Sequence, residues 1–577
     1  MKIKKIIKRL LLDKYFFLLI LLSFVLLASV ARYAVRTYKI PEWDEQHYMR
    51  MTTEFYRMVK DSPSFETPYK MLQVVPFRQP GYPLLILPFL LSFGLSNSYF
   101  WGIFTNGILY IVSIFGIYFL SRNFMSKQAS FMASFIFATY GWTLLHLHLT
   151  YSETASSAFT IWTILFLIKS DLFQNRRNSV VFGVFLGLSL LVRWITLEYL
   201  LGPLLLVLYL ILRKKLYRKR EILINSGSSF LIALVISIYP YYQNYYWIFN
   251  YFRDVSVGSP VWQALPQSET NPLSIYSLTF YLNTFAQLGV LFFILIIAGF
   301  FLAFKSKNRL KPILLVVIFG YLFSVLAPIK GERYIVPIFP YLAILSAFVF
   351  DHIKNIKFRI SLIALAIILS VVSFLGSTWG KGPMRQSLYS LPIELPFGEL
   401  KKIYLTTYSR PPYIYKISGK EILDFIEKDS KESGIKNPQI LSLFYYRPLD
   451  EPLMTYNLYN QEKILAINNF VGTVINEPKS QAAYFTGVIK NTDYILIKSG
   501  QRVDTYFSKE NYGTLKALIT LFDHNPSFLA NFEEKKTIWI YQDSSQVSIF
   551  KKKKEIPSPE LEEIRLRLVE ILKTMKE

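Results

Sequence analysis

Long apolar segments, separated by short polar and often basic ones, occupy the first two thirds of the chain. Lipid cannot satisfy free backbone polar groups, so a membrane-spanning segment is a helix of about 20 mostly apolar residues. The pattern therefore predicts a polytopic α-helical membrane protein with about 11 to 13 spans. The clearest spans are predicted at residues 15–35, 99–121, 128–147, 153–170, 179–194, 196–212, 222–243, 278–304, 311–328, 334–350 and 359–378.

The first outer loop is predicted at residues 36–82. Within it, the segment Asp44–Lys60 mixes apolar and polar positions in the way that an interfacial helix does. The apolar run at 83–95 is short for a span and indicates a re-entrant or interfacial segment. A cleaved signal peptide is the alternative to the first span, because "SVA" at Ser29–Ala31 resembles a cleavage site. The length of the first apolar run and the many spans after it favour a membrane anchor.

The pattern changes after about residue 380. Runs typical of strands alternate there with helix-like segments such as residues 419–434. We therefore expect a soluble α/β domain at 381–577 after a transmembrane domain at 1–380. The strand-like runs are "QILSLFYY" at 439–446, "DYILIK" at 493–498 and "TIWIYQ" at 537–542. A basic run at 551–555 precedes a charged amphipathic helix.

Composition and charge support a membrane protein. The chain has 577 residues, of which 52% are hydrophobic, and a formal net charge of +25. Its basic residues cluster in short runs between the apolar segments, which the positive-inside rule places on the cytoplasmic side against anionic lipid headgroups. The charge thus indicates topology rather than a nucleic-acid partner. The absence of cysteine excludes disulfides and thiolate metal sites.

The apolar stretch at 179–212 has basic runs at both ends, and a single crossing cannot place both in the cytoplasm. It is therefore predicted to form a hairpin whose tip is Arg193–Glu198. With this hairpin, every strongly basic loop lies inside and the C-terminal domain lies outside.

Ionisable residues at the span ends then collect on the outer face. Such residues are expensive to bury in a membrane and are candidates for function. His47 and Tyr48 follow Asp44 by three and four residues, on the same face of a helix, which makes an acid/base constellation. The outer set comprises Asp44, Glu45, His47, Arg78, Glu153, Arg193, Glu198 and the segment Lys330–Arg333.

Each member of this set also has an ordinary structural explanation. Acidic residues such as Asp44 and Glu45 stabilise the first turn of a helix, and Glu153 follows Ser152, which suits an N-cap. Arg193 at a hairpin tip would extend its charge into the interface. Together, however, carboxylates and guanidiniums on one face suit a substrate with a phosphate on a lipid. Arginine binds phosphate bidentately, and a carboxylate can deprotonate an incoming hydroxyl.

His146 and His148 resemble a metal-binding pair. Residues two apart point in roughly opposite directions on a helix, so we expect interfacial histidines instead. The sequence shows neither a phosphate-binding P-loop nor a dinucleotide glycine motif in a suitable position.

Five motifs in order resemble the GT-C membrane glycosyltransferases. They are "WDEQHY" in the first outer loop, "RQPGYP", "YSETASSAF", an arginine after "GLSLLV" and "GERYIVPIFPYLAIL". The chain resembles the bacterial branch related to protein O-mannosyltransferases (glycosyltransferase family 39) and lipid A aminoarabinose transferases. The resemblance covers roughly residues 10–380.

The resemblance implies inverting transfer of a sugar from a polyprenyl-phosphate donor to an acceptor on the periplasmic, outer face of the cytoplasmic membrane. Asp44 would be the general base or orient the acceptor, with Glu45 beside it, and Glu153 would be a second acidic residue. Arg193 and Arg333 would bind the donor phosphate. Further candidate substrate-binding residues are His47, Tyr48, Arg78, Lys330 and Tyr334. Some members of the superfamily need a divalent cation and others need none.

Two other functions compete with this one. A polysaccharide polymerase or ligase also uses outer arginines on lipid-diphosphate substrates, but a carboxylate pair in the first outer loop is not expected of it. A lipid-linked sugar transporter or flippase would favour ionisable residues near the middle of the membrane and two matching halves, and neither is visible here. The sugar, the acceptor (lipid, glycan or protein) and the oligomeric state stay open.

Overall fold

The structure is a computed structural model. It describes residues 13–36, 44–61, 63–95, 97–253, 274–306, 310–327, 331–379, 418–444, 466–468, 477–500, 502, 513–540 and 545–576.

The chain folds into two compact units. The first unit comprises Met1–Thr37 and His47–Ile414, and the second comprises Tyr38–Gln46 and Tyr415–Glu577. The domain boundary predicted near residue 380 falls outside the described residues.

The described part of the first unit is helical, and every predicted span contains at least one helix. The α-helices are α1 (Lys14–Arg36), α2 (Asp44–Lys60), α3 (Thr67–Gln73), α4 (Gly81–Phe93), α5 (Ser98–Ser121), α6 (Lys127–Thr139), α7 (Gly141–Leu147), α8 (Glu153–Lys169), α9 (Arg176–Val192), α10 (Thr196–Arg213), α11 (Arg220–Gln243), α12 (Tyr245–Arg253), α13 (Ile275–Ala286), α14 (Val290–Lys305), α15 (Lys311–Leu326), α16 (Phe339–Phe348) and α17 (Ile356–Trp379). Short 3-10 helices lie at Leu216–Arg218, Glu332–Ile338 and Val349–His352.

The protein is a polytopic helical membrane protein with a small sheet. Among the described residues, six helices are long and apolar enough to cross a membrane, and a bent pair of helices would make a seventh span. The larger number of spans expected from the sequence stays a prediction.

Local sequence signals mark several helix ends. Ser126 caps α6, because its hydroxyl accepts a hydrogen bond from the backbone N–H of Ala129 at 3.2 Å, and Asn175 caps α9 in the same way. Helix α4 ends at Gly94, whose φ of +81° is open to glycine but strained for other residues.

Two predicted spans are interrupted in the structure. The span expected at 128–147 consists of α6 and α7, which are separated by the extended residue Tyr140. The span expected at 278–304 consists of α13 and α14, which bend by 116° at the break. Gly289 at that break has a φ of +95°, which ends the helix although the apolar pattern continues.

Helices α9 and α11 pack with their backbones close together. A Cβ at Gly183 would collide with the backbone carbonyl of Ser229, so only glycine allows this approach. The hydroxyl of Ser229 donates to the carbonyl of Ser179 at 2.8 Å, and the Asn225 amide donates to the carbonyl of Phe173 at 2.9 Å. Small residues and interhelical hydrogen bonds hold this pair, as is usual in membranes.

The second unit contains a five-stranded mixed sheet with the order β2-β1-β3-β5-β4. The first three strands in this order are parallel, and the pairs β3–β5 and β5–β4 are antiparallel. The strands are β1 (Gln439–Ser442), β2 (Ala466–Asn468), β3 (Tyr494–Lys498), β4 (Phe532–Ile540) and β5 (Ser545–Lys552). The described helices are α18 (Ser418–Glu432), α19 (Pro478–Asn491), α20 (Gly513–Asp523), α21 (Pro526–Leu529) and α22 (Ser558–Lys576).

Alternate residues of β3 face two separate apolar clusters. Ile495 packs with side chains of α19, α20 and α22, whereas Tyr494 and Leu496 pack with side chains of α18. Strand β3 is therefore covered on both faces, which explains why it is a nearly continuous apolar run. Strand β5 was not predicted, because Lys551 and Lys552 at its end belong to a basic run that is not typical of a strand.

Candidate active site

Glu153 is the central carboxylate of the candidate site. It begins α8, and its side chain is only 2% exposed. Its Oε1 atom lies 2.7 Å from Nη1 of Arg193 and 3.9 Å from Nε of Arg333. Ser152 does not cap α8 with its side chain, and its hydroxyl instead shares a hydrogen bond of 2.8 Å with that of Tyr48. Ordinary capping therefore does not explain this pair of residues.

Arg193 lies at the break between α9 and α10, where the hairpin tip was predicted. Its backbone is extended, and its side chain is 9% exposed, so it does not reach into the interface as a snorkelling arginine would. Its guanidinium lies 5.4 Å from the centre of the Tyr334 ring. Ion pairing with Glu153 and this aromatic contact hold the buried charge.

Arg333 belongs to the 3-10 helix Glu332–Ile338. Its guanidinium lies 5.3 Å from the ring of Tyr151 and 5.2 Å from that of Tyr334. The hydroxyl of Tyr199 donates a hydrogen bond to the carbonyl of Tyr334, which fixes the backbone beside the arginine. The side chain of Arg333 is 26% exposed, so the cluster is open at this residue.

The cluster formed by Glu153, Arg193 and Arg333 carries one negative and two positive charges. Glu153 and Arg193 are buried, where the dielectric constant is low and electrostatic interactions are strong, whereas Arg333 is partly exposed. Each guanidinium has five N–H donors, more than one carboxylate oxygen can accept. The cluster can therefore bind an additional anion with several oxygens, such as a phosphate.

Tyr48 connects α2 with Ser152, the residue before Glu153. It is buried, its hydroxyl bonds Ser152, and its ring lies edge-on to Tyr82 at 5.2 Å. Arg78 lies on the same ring, with its guanidinium 5.9 Å from the centre of Tyr48, and also contacts Phe77 at 5.5 Å. Arg78 thus adjoins the cluster through an aromatic side chain.

The remaining predicted residues have separate positions. Asp44 and Glu45 form the first turn of α2, in the segment that belongs to the second unit; Asp44 is half-buried and Glu45 is fully buried. The ring of His47 lies edge-on to Phe77 at 5.5 Å. Lys330 falls outside the described residues. The roles of these four residues stay predictions.

Trp194, the residue after Arg193 in the chain, lines an aromatic cavity. It has a volume of about 660 Å³ and lies between Trp194 and the helices α11 and α12. Every lining residue is aromatic or aliphatic, and the set consists of Trp194, Tyr241, Tyr245, Tyr246, Ile248 and Phe249. The cavity is therefore suited to an apolar chain.

Comparison with known proteins identifies the fold. The sequence matches no family model and no curated protein. ArnT from Cupriavidus metallidurans, bound to undecaprenyl phosphate, aligns over 93% of this chain and 99% of its own, at 12% identity and a TM-score of 0.52. The chain has the GT-C fold. The apo state of the same ArnT aligns over 92% of this chain and 97% of its own, at 11% identity and a TM-score of 0.51.

The resemblance seen in the sequence is confirmed at the level of this GT-C fold. The Archaeoglobus fulgidus oligosaccharyltransferase in its apo form aligns over 90% of this chain and 73% of its own, at 14% identity and a TM-score of 0.47.

The prediction of interfacial histidines in the GT-C unit was wrong. His146 is 4% exposed and His148 is 1% exposed, because the short helix α7 is packed inside the unit. The ring of His146 lies 6.4 Å from that of Tyr151, whose ring is 5.3 Å from the guanidinium of Arg333. Nothing in the sequence pattern distinguishes it from His148, since both stand in one apolar segment.

The described residues of the GT-C unit offer little for a divalent cation. Among them, no three His, Asp or Glu side chains group in a way that could hold a metal ion. The carboxylate of Glu153 is paired with two guanidiniums, whose positive charge opposes a second cation.

Proposed function

We propose that the protein transfers a sugar from a polyprenyl-phosphate donor to an acceptor hydroxyl on the outer face of the cytoplasmic membrane. The observation that carries this proposal is the buried cluster of Glu153, Arg193 and Arg333 in a GT-C fold. The excess positive charge of this cluster suits the phosphate of a lipid-linked donor.

Charge development during the reaction favours the same assignment. The donor phosphodiester carries one negative charge, and the phosphate gains another when its bond to the sugar breaks. Arg193 and Arg333 would therefore bind the leaving group more strongly than the donor, which lowers the barrier. Glu153 would hold the two guanidiniums in place, since its Oε1 atom contacts both.

The cavity beside Trp194 supports a lipid tail on the donor. Its walls are aromatic and aliphatic, which suits an isoprenoid tail, and they include Trp194, the residue after Arg193 in the chain. The structure of ArnT with undecaprenyl phosphate shows that a protein with this fold binds a carrier of that class.

Asp44 is the proposed general base, on the resemblance of its "WDEQHY" motif. The acceptor oxygen would bond to the anomeric carbon with inversion, the bond from that carbon to the phosphate oxygen would break, and the acceptor proton would pass to Asp44. Glu45, His47, Tyr48, Arg78, Lys330 and Tyr334 are proposed to surround the substrates.

Donor consumption tests this function. Full-length protein in lipid nanodiscs is incubated with a panel of polyprenyl-phosphate sugars, and release of polyprenyl phosphate is measured. We expect release from at least one donor, and Asp44→Asn should reduce the rate by about 100-fold or more, since it removes the base with little change in volume. Asp61→Asn, at the other end of α2, is the control and should retain activity. Full activity of Asp44→Asn would remove Asp44 from the mechanism, and no release from any donor would contradict the proposed function.

A further inference from the structure

The ring of Tyr334 contacts both arginines of the candidate site. The guanidinium of Arg193 lies 5.4 Å from the centre of this ring, and that of Arg333 lies 5.2 Å from it. Nη2 of Arg333 also donates a hydrogen bond of 3.4 Å to the Tyr334 hydroxyl. A cation within about 6 Å of the centre of an aromatic ring is attracted by the electrons of that ring. The position of this one ring therefore influences where both guanidiniums lie.

A buried hydroxyl on another helix holds the backbone that carries this ring. Tyr199 belongs to α10, the helix that follows Arg193, and its side chain is fully buried. Its hydroxyl donates a hydrogen bond to the backbone carbonyl of Tyr334. The backbone N–H of Tyr334 donates to the carbonyl of Gly331 at 2.9 Å. The backbone of Tyr334 is thus held both at its N–H and at its carbonyl.

The ring of Tyr199 packs closely against α15. A Cβ atom added at Gly320 would lie 2.5 Å from Cδ1 of Tyr199 and 2.7 Å from Cδ1 of Ile338, the last residue of the 3-10 helix. Both distances are too short for a real contact, so glycine leaves the room that these two side chains occupy. Close packing restricts the ring of Tyr199 and keeps its hydroxyl within reach of the Tyr334 carbonyl.

Tyr199 thereby links the two segments that supply the arginines. Arg193 lies at the end of α9, and α10 begins three residues later at Thr196. Arg333 belongs to the same 3-10 helix as Tyr334. The two arginines are 140 residues apart in the chain, so their spacing depends on tertiary contacts. The hydrogen bond from Tyr199 is such a contact, and it reaches the residue next to Arg333.

We propose that Tyr199 is a positioning residue of the phosphate site, which acts through Tyr334 to set the spacing of the two guanidiniums. This inference rests on the proposed function. Two guanidiniums bind one phosphate well only when their N–H groups converge on its oxygens, and a shift of the shared ring changes the direction of both. Without the hydroxyl of Tyr199, the carbonyl of Tyr334 loses this partner and the 3-10 helix can move.

The test is binding of undecaprenyl phosphate to full-length protein in nanodiscs, with the Tm of each variant measured in parallel. Tyr199→Phe removes one hydroxyl and keeps the ring against Gly320. We expect its Kd to rise about five- to tenfold, the effect of one neutral hydrogen bond. Tyr110→Phe is the matched control, because the hydroxyl of buried Tyr110 also donates to a backbone carbonyl, that of Phe137, at 2.8 Å. Both variants should lower the Tm by a similar small amount, and Tyr110→Phe should leave the Kd unchanged.

A double variant tests the route through Tyr334. Tyr334→Leu removes the ring that both guanidiniums contact, and it should raise the Kd at least as much as Tyr199→Phe does. In the Tyr334→Leu background, Tyr199→Phe should add less than about twofold, because the effects of residues that act through one another are not additive. A further five- to tenfold rise in that background would show that Tyr199 does not act through Tyr334.

Three other results would overturn the inference while leaving the proposed function intact: a wild-type Kd in Tyr199→Phe, an equal rise of the Kd in Tyr110→Phe, or a wild-type Kd in Tyr334→Leu. If the wild type itself does not bind undecaprenyl phosphate, the proposed function and the inference both fall. Should Tyr199→Phe not fold, Tyr334→Leu alone decides whether the ring sets the affinity, and a wild-type Kd in that variant again overturns the inference.

Discussion

At the scale of single residues, the site depends on one carboxylate that two guanidiniums share. Glu153 is nearly inaccessible, and it compensates part of the charge of Arg193 and Arg333. A buried ion pair adds little net stability compared with apolar packing, but the loss of one partner leaves the other charge unpaired in a low dielectric. The pair is therefore better explained by a function at this position than by stability.

Glu153→Gln tests this dependence. The amide leaves the buried guanidinium of Arg193 and the partly exposed one of Arg333 without their carboxylate, so we expect the free energy of unfolding to fall by about 3 kcal/mol. Binding of undecaprenyl phosphate should also change, because the arginines lose their anchor. Glu66→Gln is the control: it removes a carboxylate from the exposed pair with Lys70, and stability should stay near the wild-type value. Equal stability of the two variants would contradict the buried pairing.

At the scale of elements, the site is built where helices are interrupted. Arg193 follows the end of α9, and Arg333 lies in a 3-10 helix before α16. Irregular backbone is tolerated at membrane depth only where protein buries it or where it lines a cavity. These interruptions thus direct the side chains of Arg193 and Arg333 into the site, whereas a continuous helix would point them elsewhere.

Close packing of α9 and α11 supports the break from which Arg193 projects. Gly183→Ala would force a Cβ onto the backbone of Ser229, and we expect it to destabilise the protein by about 2 kcal/mol. Gly227→Ala, in α11 itself, has no atom within 4 Å of the added Cβ and should change stability by less than about 1 kcal/mol. Thermal unfolding of both variants in nanodiscs measures the difference. A neutral Gly183→Ala would show that the two helices are further apart.

Asp429 joins three elements of the second unit. Its carboxylate lies 2.7 Å from Nζ of Lys551 in β5 and accepts a hydrogen bond of 2.5 Å from the hydroxyl of Tyr494 in β3. Partial burial raises the pKa of Asp429, but the bonds from Lys551 and Tyr494 outweigh it, so the pKa is lowered from the usual 3.8. The ionised form is thus favoured in the folded state.

The sign of the pH dependence follows. Because the pKa of Asp429 is lower in the folded state than in the unfolded state, its ionised carboxylate stabilises the fold at pH values above the unfolded-state pKa. This stabilisation is lost as the pH falls through the folded-state pKa. We expect Asp429→Asn to make the second unit of the full-length protein more sensitive to protease at neutral pH, with the difference from wild type shrinking below about pH 4. Lys428, which pairs only at the surface with Glu432, offers the control Lys428→Gln. A difference that stays constant on acidification would contradict the assignment.

At the scale of the whole molecule, charge determines which side of the membrane each loop occupies. Basic runs precede α1 and surround the 3-10 helix Leu216–Arg218, whereas the proposed site has its acidic and arginine residues at other helix ends. The positive-inside rule therefore predicts that the site lies on the outer face.

Topology reporters test this arrangement. Fusions after residue 60 and after residue 400 should both report the outside, and a fusion after residue 218 should report the inside, because it lies in the most basic loop. Labelling that places Trp43 and Glu153 on opposite sides of the membrane would exclude a common outer site for the carboxylates.

Much of the candidate site could be predicted from the sequence. Tyr48, Glu153, Arg193, Arg333 and Tyr334 were selected as awkward or motif residues at helix ends, and the structure brings them together. The burial of His146 and His148 was not predicted, because an apolar segment gives the same pattern at the membrane interface as in a helix packed inside the protein, such as α7.

The sequence by itself determined the helical membrane class, the places of most helices and the charged residues at their ends. These features are local, because each membrane-spanning segment must be long and apolar and must pair its own backbone polar groups. The tertiary structure alone decided which of those ends meet. Arg193 and Glu153 are 40 residues apart in the chain, and Arg333 is another 140 further on. Contacts over such separations depend on how helices pack and where they break, and Gly289 shows that a break can stand inside an unbroken apolar run.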